Sequence, residues 1–139
     1  MTAVNVDGLP HQRAREVLGG RVLAVDDATG TARVRYVPGV DLQNPNGTIL
    51  GGYLAAMIDD AAGVATWFGA AKRNFATAQM SVSFLRAAKP GDGIIADVVL
   101  SGIGTKQAFV EVRLSREKDN KLVATGTLVQ TFMNDGAAA

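Results

Sequence analysis

Apolar and polar residues alternate with a period of two over much of the chain. Ala108, Val110, Val112 and Leu114 interleave with Phe109, Glu111, Arg113 and Ser115, the pattern of a strand with one buried and one wet face. The same alternation runs through Arg33, Val34, Arg35 and Tyr36. Extending such stretches to the nearest turn residues predicts strands over 21–28, 31–37, 77–88, 93–104, 105–116 and 121–133. Asp26-Asp27-Ala28-Thr29-Gly30 closes the first pair into a hairpin, and later strands are separated at Lys89-Pro90-Gly91-Asp92, near 102–106, and at Glu117-Lys118-Asp119-Asn120. Residues 49–69 break the alternation and predict the longest helix, which is also the most apolar segment. Residues 9–18 predict a short surface helix, with Pro10 in its first turn and Gly19-Gly20 past its end. Residues 38–48 are too rich in Pro and Gly to form an element, 1–8 read as a loose leader, and 134–139 as a disordered tail.

The element order is therefore α-β-β-α-β-β-β-β, an α+β chain of one domain over 1–139 with its core at about 15–133. Short connections join the last four strands, which predicts an antiparallel meander. The long helix needs a face to pack on, and the sheet is the only candidate.

That helix has two unusual faces. At about 100° per residue, Met57, Ile58, Ala61, Val64, Ala65 and Phe68 gather around Leu54 as a core stripe. The opposite face holds Gly52, Ala56, Asp59, Asp60, Gly63 and Trp67. No Lys or Arg occurs between Arg35 and Lys72. Small residues and two carboxylates, rather than a charged solvent face, predict a second covered surface where a ligand or another backbone comes close. Burial without a cation disfavours a charged carboxylate. At least one of the pair is then expected to be hydrogen-bonded or functional, unless both are half-solvated at a helix edge. Gly51-Gly52 at the helix start aims N–H groups along the positive end of the dipole, an oxyanion site or a plain glycine turn. Gly51 precedes Asp59 by eight residues, about 12 Å of axial rise. One ligand touching both needs a long group or a partner chain.

Composition narrows the chemistry. Hydrophobic residues make up 47% and charged residues 19% of 139, so the chain is an ordinary globular domain. The net charge of +1 gives no electrostatic case for binding nucleic acid. With no cysteine, thiol catalysis, disulfides and Cys-ligated metals are excluded, and a single histidine, His11, excludes any site needing two imidazoles. Ser81 and Ser83 lack the partners of a serine nucleophile. The N-terminal residues lack the apolar run of a signal peptide, and no stretch reaches the ~20 apolar residues of a membrane span, so a cytoplasmic protein with no membrane partner is expected.

The segment Asn44…Gly47…Leu50-Gly51-Gly52…Asp59 resembles the signature of hotdog-fold acyl-CoA thioesterases of the PaaI type, in which an Asn and a Gly precede His-Gly-Gly and an acidic residue. The run 82–92 resembles that family's strand and following turn, and Gly104-Thr105-Lys106 and 122–127 also fit. The resemblance covers roughly 15–133. It implies a long helix wrapped by a curved antiparallel sheet. It further implies a homodimer whose two sheets join into one, often paired again into a homotetramer, with two active sites at each dimer interface.

The resemblance assigns roles residue by residue. Asp59 corresponds to the catalytic carboxylate, as nucleophile or as general base for water. Gly51 corresponds to the glycine whose N–H polarises the thioester carbonyl, and Asn44 to the Asn that orients the carbonyl or water. Thr77 falls where relatives have a hydroxyl reaching the carboxylate of the other subunit. Substrate contacts are expected from Leu50, Gly52, Asp60 and Trp67, and from Gly104, Thr105 and Lys106 beside pantetheine. Arg86 is expected among the cations that meet the phosphates of coenzyme A. No metal or redox cofactor is implied; coenzyme A enters only as part of the substrate. Leu50 stands where the family has His, which argues against a hotdog dehydratase or hydratase. His11 reads as a surface helix residue. Two rival readings remain, a non-catalytic acyl-CoA binder and a structural oligomer that uses the small-residue helix face for packing.

Overall fold

The computed structural model describes residues 8–133; of the expected leader at 1–8 all but Gly8, and the whole of the tail at 134–139, lie outside them. Residues Gly51–Gly69 form the long helix, α2 in a chain that runs α1 (Arg13–Val17), β1 (Gly20–Asp26), β2 (Thr31–Tyr36), α2, β3 (Phe75–Phe84), β4 (Ile94–Ile103), β5 (Gln107–Arg116) and β6 (Leu122–Phe132). A single 3-10 turn, Val40–Leu42, interrupts the loop before α2. Six antiparallel strands make one sheet in the order β1-β2-β4-β5-β6-β3, and α2 lies across its inner face. This is the hotdog fold.

The stripe read from the helical period is the core. Leu54, Met57, Ile58, Ala61, Val64 and Ala65 are buried, and Phe68 packs at its margin. Opposite them stand the inward residues of the strands, such as Val34, Ala96, Val98, Val110, Val112 and Leu128. Helix and sheet approach closely at Gly126, where a Cβ would lie 2.6 Å from Ile58 Cγ2. Glycine removes that obstacle, so α2 beds down against β6.

Two expectations are corrected here. The meander holds for β4-β5-β6 only. β3 pairs with β6 at the sheet edge, because β4 already has β2 on its free side. The first helix is shorter than 9–18. Gln12 is extended (φ −120°, ψ 101°) and no side chain caps the helix, so residues 8–12 form a strap that leads into a single turn and a half.

The short helix nevertheless supplies the missing cation. Arg15 grips Asp60 with two bonds, Nε to Oδ2 at 2.9 Å and Nη2 to Oδ1 at 3.0 Å. The Tyr36 hydroxyl donates to Asp60 Oδ2 at 2.7 Å and lies 3.2 Å from the Met57 carbonyl. The Asp60 side chain keeps 3% of its exposure, so this is a buried ion pair with its lone pairs satisfied. The inference that no cation attends the two carboxylates is thus wrong for Asp60; the partner lies 45 residues upstream.

Burial holds the Tyr36 hydroxyl proton well above its ordinary range, reinforced by the charge of Asp60 and the hydrogen bond to it and opposed by Arg15. A phenol whose folded pKa is raised contributes its full stability below the unfolded value of about 10 and loses it as pH rises beyond. Stability should therefore be insensitive to this group near neutrality and fall above about pH 10. Urea unfolding midpoints of the native chain and Tyr36→Phe, measured on both sides of that pH, should diverge at neutrality and converge in alkali. A constant gap between them would contradict this account.

Candidate active site

Strand β3 carries a bulge between Thr77 and Gln79. Met80 pairs opposite the inward-facing Leu128, so unbroken alternation would turn Thr77 outward. The extra residue, Ala78, reverses the parity and brings Thr77 opposite Gln130 on the inner face. From there Thr77 Oγ1 donates to Asp59 Oδ1 of α2 at 2.7 Å. The hydroxyl expected to reach a neighbouring subunit's carboxylate thus bonds to Asp59 of its own chain. The Gln130 side-chain amide, fully buried on β6, has Nε2 3.4 Å from Thr77 Oγ1 and accepts from the buried Thr66 hydroxyl at Oε1.

Asp59 and Thr77 lie on the wall of a cavity of about 380 Å³ between α2, the start of β3 and the N-terminal strap. Ala56, Gly63, Trp67 and Phe75 are its apolar lining on one side, with Leu9 and Pro10 of the strap and Leu18 at the end of α1 on the other. The small residues on the second face of α2 are what leave this space open. Trp67 Nε1 donates to the Gly8 carbonyl at 2.7 Å and ties the strap across the helix. His11 precedes the first helix rather than lying within it; it lines the same cavity and stands 3.4 Å from Glu16.

Of the two adjacent carboxylates, only Asp59 is open to the cavity without a cationic partner among the described residues. Asp60 commits both oxygens to Arg15 and Tyr36. Rotation of about 100° between neighbours on a helix separates their duties.

The other expected residues divide between places. Gly51 opens α2, and its N–H and that of Gly52 have no backbone acceptor among the described residues, as the first turn of a helix dictates. Gly51 faces a separate shallow groove with Phe84, Leu85 and Arg86, and a Cβ on it would touch the Phe84 ring at 3.3 Å. Gly52 is open to solvent, and Leu50, the N-cap residue, is 47% exposed. Asn44 organises its own loop. Its Oδ1 accepts from the Asn46 and Thr48 N–H groups, and its Nδ2 donates to Thr48 Oγ1 at 2.9 Å. Arg86 Nη1 donates to the Leu122 carbonyl. Gly104, Thr105 and Lys106 form the exposed β4–β5 turn, held where Arg73 donates to the Thr105 carbonyl and stacks 4.1 Å above the Phe132 ring. They do not line the Asp59 cavity. One chain therefore gathers Asp59, Thr77 and Trp67, and sets Gly51 with Arg86 elsewhere.

The model of the thioesterase superfamily matches residues 46–123. The chain belongs to the thioesterase superfamily. Among solved structures, a phenylacetic acid degradation-related protein from Ralstonia eutropha JMP134 is 30% identical, with a TM-score of 0.80 over 90% of this chain and 93% of that one. The PaaI protein of Escherichia coli, from the phenylacetic acid degradation operon, is 19% identical, with a TM-score of 0.81 over 88% and 86%. A hypothetical thioesterase from Streptococcus pneumoniae TIGR4, solved with coenzyme A, is 19% identical, with a TM-score of 0.76 over 83% and 86%. No curated protein matches the sequence. No helix among the described residues is long and apolar enough to cross a membrane.

Within this thioesterase-superfamily chain, the sequence reading missed the strap residues 8–12, Arg15 and Gln130. A glutamine among Ala124, Gly126, Leu128 and Phe132 on the inward side of β6 was the one signal for the last. The strap left none, since its contacts come from a segment too short to show a period.

Trp67→Phe keeps an aromatic wall and removes the donor to Gly8. Loss of one neutral hydrogen bond, about 1 kcal/mol, should raise strap opening roughly fivefold. Tryptic cleavage at Arg13 under native conditions should accelerate by the same factor. An unchanged rate would show that other contacts hold the strap.

Proposed function

We propose that this chain hydrolyses an acyl-CoA thioester at a site completed by two copies of itself. The observation that carries the reading is Asp59, a carboxylate with no cationic partner among the described residues, bonded to Thr77 on the wall of a cavity that Ala56, Gly63, Trp67 and Phe75 also line. Acting as general base, Asp59 takes a proton from water while the water oxygen bonds to the carbonyl carbon. Acting as nucleophile, it bonds to that carbon itself, and water later cleaves the anhydride. In either course the C–S bond breaks and sulfur leaves as the thiolate of coenzyme A, which takes up a proton. The cavity accepts the acyl group.

The oxyanion needs donors, and the N–H groups at the start of α2 that have no backbone acceptor among the described residues lie outside the Asp59 cavity. The Gly51 N–H is the donor for that role, worth a few kcal/mol in a preorganised site. Gly51 and Asp59 of one chain lie in different depressions about 12 Å apart along the helix. Placing a partner's Gly51 beside Asp59 resolves this. Strand β3 supports such a partner. It is an edge strand of ten residues, all exposed but Phe75 and Val82. An open edge of that length is a pairing surface for a second sheet. Arg86, together with Lys72, Arg73, Lys89 and Lys106, is a candidate for the phosphates of coenzyme A. The second reading is acyl-CoA binding without turnover. It draws on Leu50, which puts an apolar, half-exposed side chain at the family's imidazole position.

Light scattering at micromolar concentration should return at least twice the chain mass. A monomer would remove the shared site.

Turnover separates the two carboxylates. On the best thioester from a panel read by thiol release, Asp59→Asn should cost a hundredfold or more, about the size of a general-base contribution. Asp60→Asn should cost far less in turnover and about 3 kcal/mol in unfolding free energy, since it leaves Arg15 buried against a neutral amide. Near-native turnover in Asp59→Asn, or a worse loss in Asp60→Asn, would reassign the catalytic carboxylate. Coenzyme A binding with no turnover in the native chain would favour the second reading.

A further inference from the structure

A primary amide buried in an apolar layer costs stability unless its hydrogen-bonding groups are paired. Gln130 is such a group, with no exposed surface, in a row of β6 residues that is otherwise Ala124, Gly126, Leu128 and Phe132. A leucine would fill the same place without polar obligations. What the amide does is visible in its partners. The Thr66 hydroxyl, also fully buried, gives its one hydrogen to Gln130 Oε1. With Oε1 on Thr66, the amide turns its Nε2 donor toward Thr77, 3.4 Å from Oγ1. A hydroxyl has one hydrogen and two lone pairs. With an N–H pointing at a lone pair of Thr77, its hydrogen is free for Asp59 Oδ1, 2.7 Å away.

We propose that Gln130 is a positioning residue for Asp59. It sets the direction of the Thr77 hydroxyl so that the carboxylate receives a hydrogen rather than meeting a lone pair. The chain Thr66, Gln130, Thr77, Asp59 donates in one direction throughout. A flipped amide would present Oε1 to Thr77, draw its hydrogen away, and leave Asp59 facing the oxygen's electron pairs. The register serves this arrangement. Thr77 stands directly opposite Gln130 only because the bulge at Ala78 shifts the parity of β3. The 3.4 Å separation is long for a hydrogen bond, and contacts of this kind in catalytic sites tighten as substrate binds.

This proposal rests on Asp59 being the catalytic carboxylate, and the test separates the two. Gln130→Met matches the side chain in length and offers no such donor or acceptor. Paired with Thr66→Val it leaves no buried hydroxyl unsatisfied, which guards against simple misfolding. Either form should lower kcat about tenfold with KM within twofold, the scale of one charge-assisted hydrogen bond. Thr77→Ala should lower kcat similarly, and Gln130→Met should add nothing in the Thr77→Ala background, because Gln130 acts on Asp59 only through the Thr77 hydroxyl. Losses that multiply, or kcat unchanged in Gln130→Met while Thr77→Ala is impaired, overturn the role of Gln130 and leave Asp59 in place. Near-native turnover in Asp59→Asn overturns the catalytic reading instead. A crystal structure of Gln130→Met with Thr66→Val decides the positioning role without any assay. Thr77 should change rotamer and move its Oγ1 beyond hydrogen-bond reach of Asp59. Retention of the native contact would refute the proposal.

Discussion

The rotation of α2 about its own axis decides which side chain faces the cavity, and Asp60 holds that rotation. Its carboxylate is pinned by Arg15 from the first helix and by Tyr36 from β2, with the Met57 carbonyl beside the same phenol. On the far side of the helix, Ile58 lies against the bare backbone of Gly126. Between these two restraints the helix can neither roll nor lift. Asp59, one residue from the ion pair, is thereby aimed at β3. Two adjacent residues of the same type thus divide into one that fixes the frame and one that the frame presents. The buried pair is not a large source of stability compared with an apolar core. Its value lies in direction, because a bidentate guanidinium contact tolerates little rotation.

Periodic features are legible in the amino-acid order, and non-local ones are not. The core stripe of α2 follows from spacing, so helical periodicity alone places Leu54 through Ala65 on the buried side. The alternation in β5 marks its inward residues correctly. The edge position of β3 could not be read, because nothing within residues 75–84 records that β4 is already paired with β2. Thr77 was named from a family signature, yet its inward direction depends on a bulge that no local composition marks. Arg15 shows the same limit. A cation 45 residues away in the chain closed a gap that looked empty over the whole span from Arg35 to Lys72.

The polar chain behind Asp59 shows how a small domain can orient a carboxylate without a second charge. A cation beside Asp59 would hold it tightly and blunt its basicity. Hydroxyl and amide groups supply direction with weaker fields, and their connection to the buried Thr66 makes that direction a property of the core. The cost is a set of polar atoms inside an apolar layer, which is tolerable because none of the buried side-chain polar atoms among the described residues is left unpaired.

The composition of β3 has a consequence for the life of the newly made chain. Its open edge presents unpaired backbone groups, which in many sheets invites indiscriminate strand addition. Here the strand reads Phe75-Ala76-Thr77-Ala78-Gln79-Met80-Ser81-Val82-Ser83-Phe84, half of it small or hydroxyl-bearing residues, with a bulge near its start. A foreign strand that docked there would gain backbone bonds, but it would meet a kink that a regular ladder does not fit. The irregularity that turns Thr77 inward thus also limits which strands the edge can take.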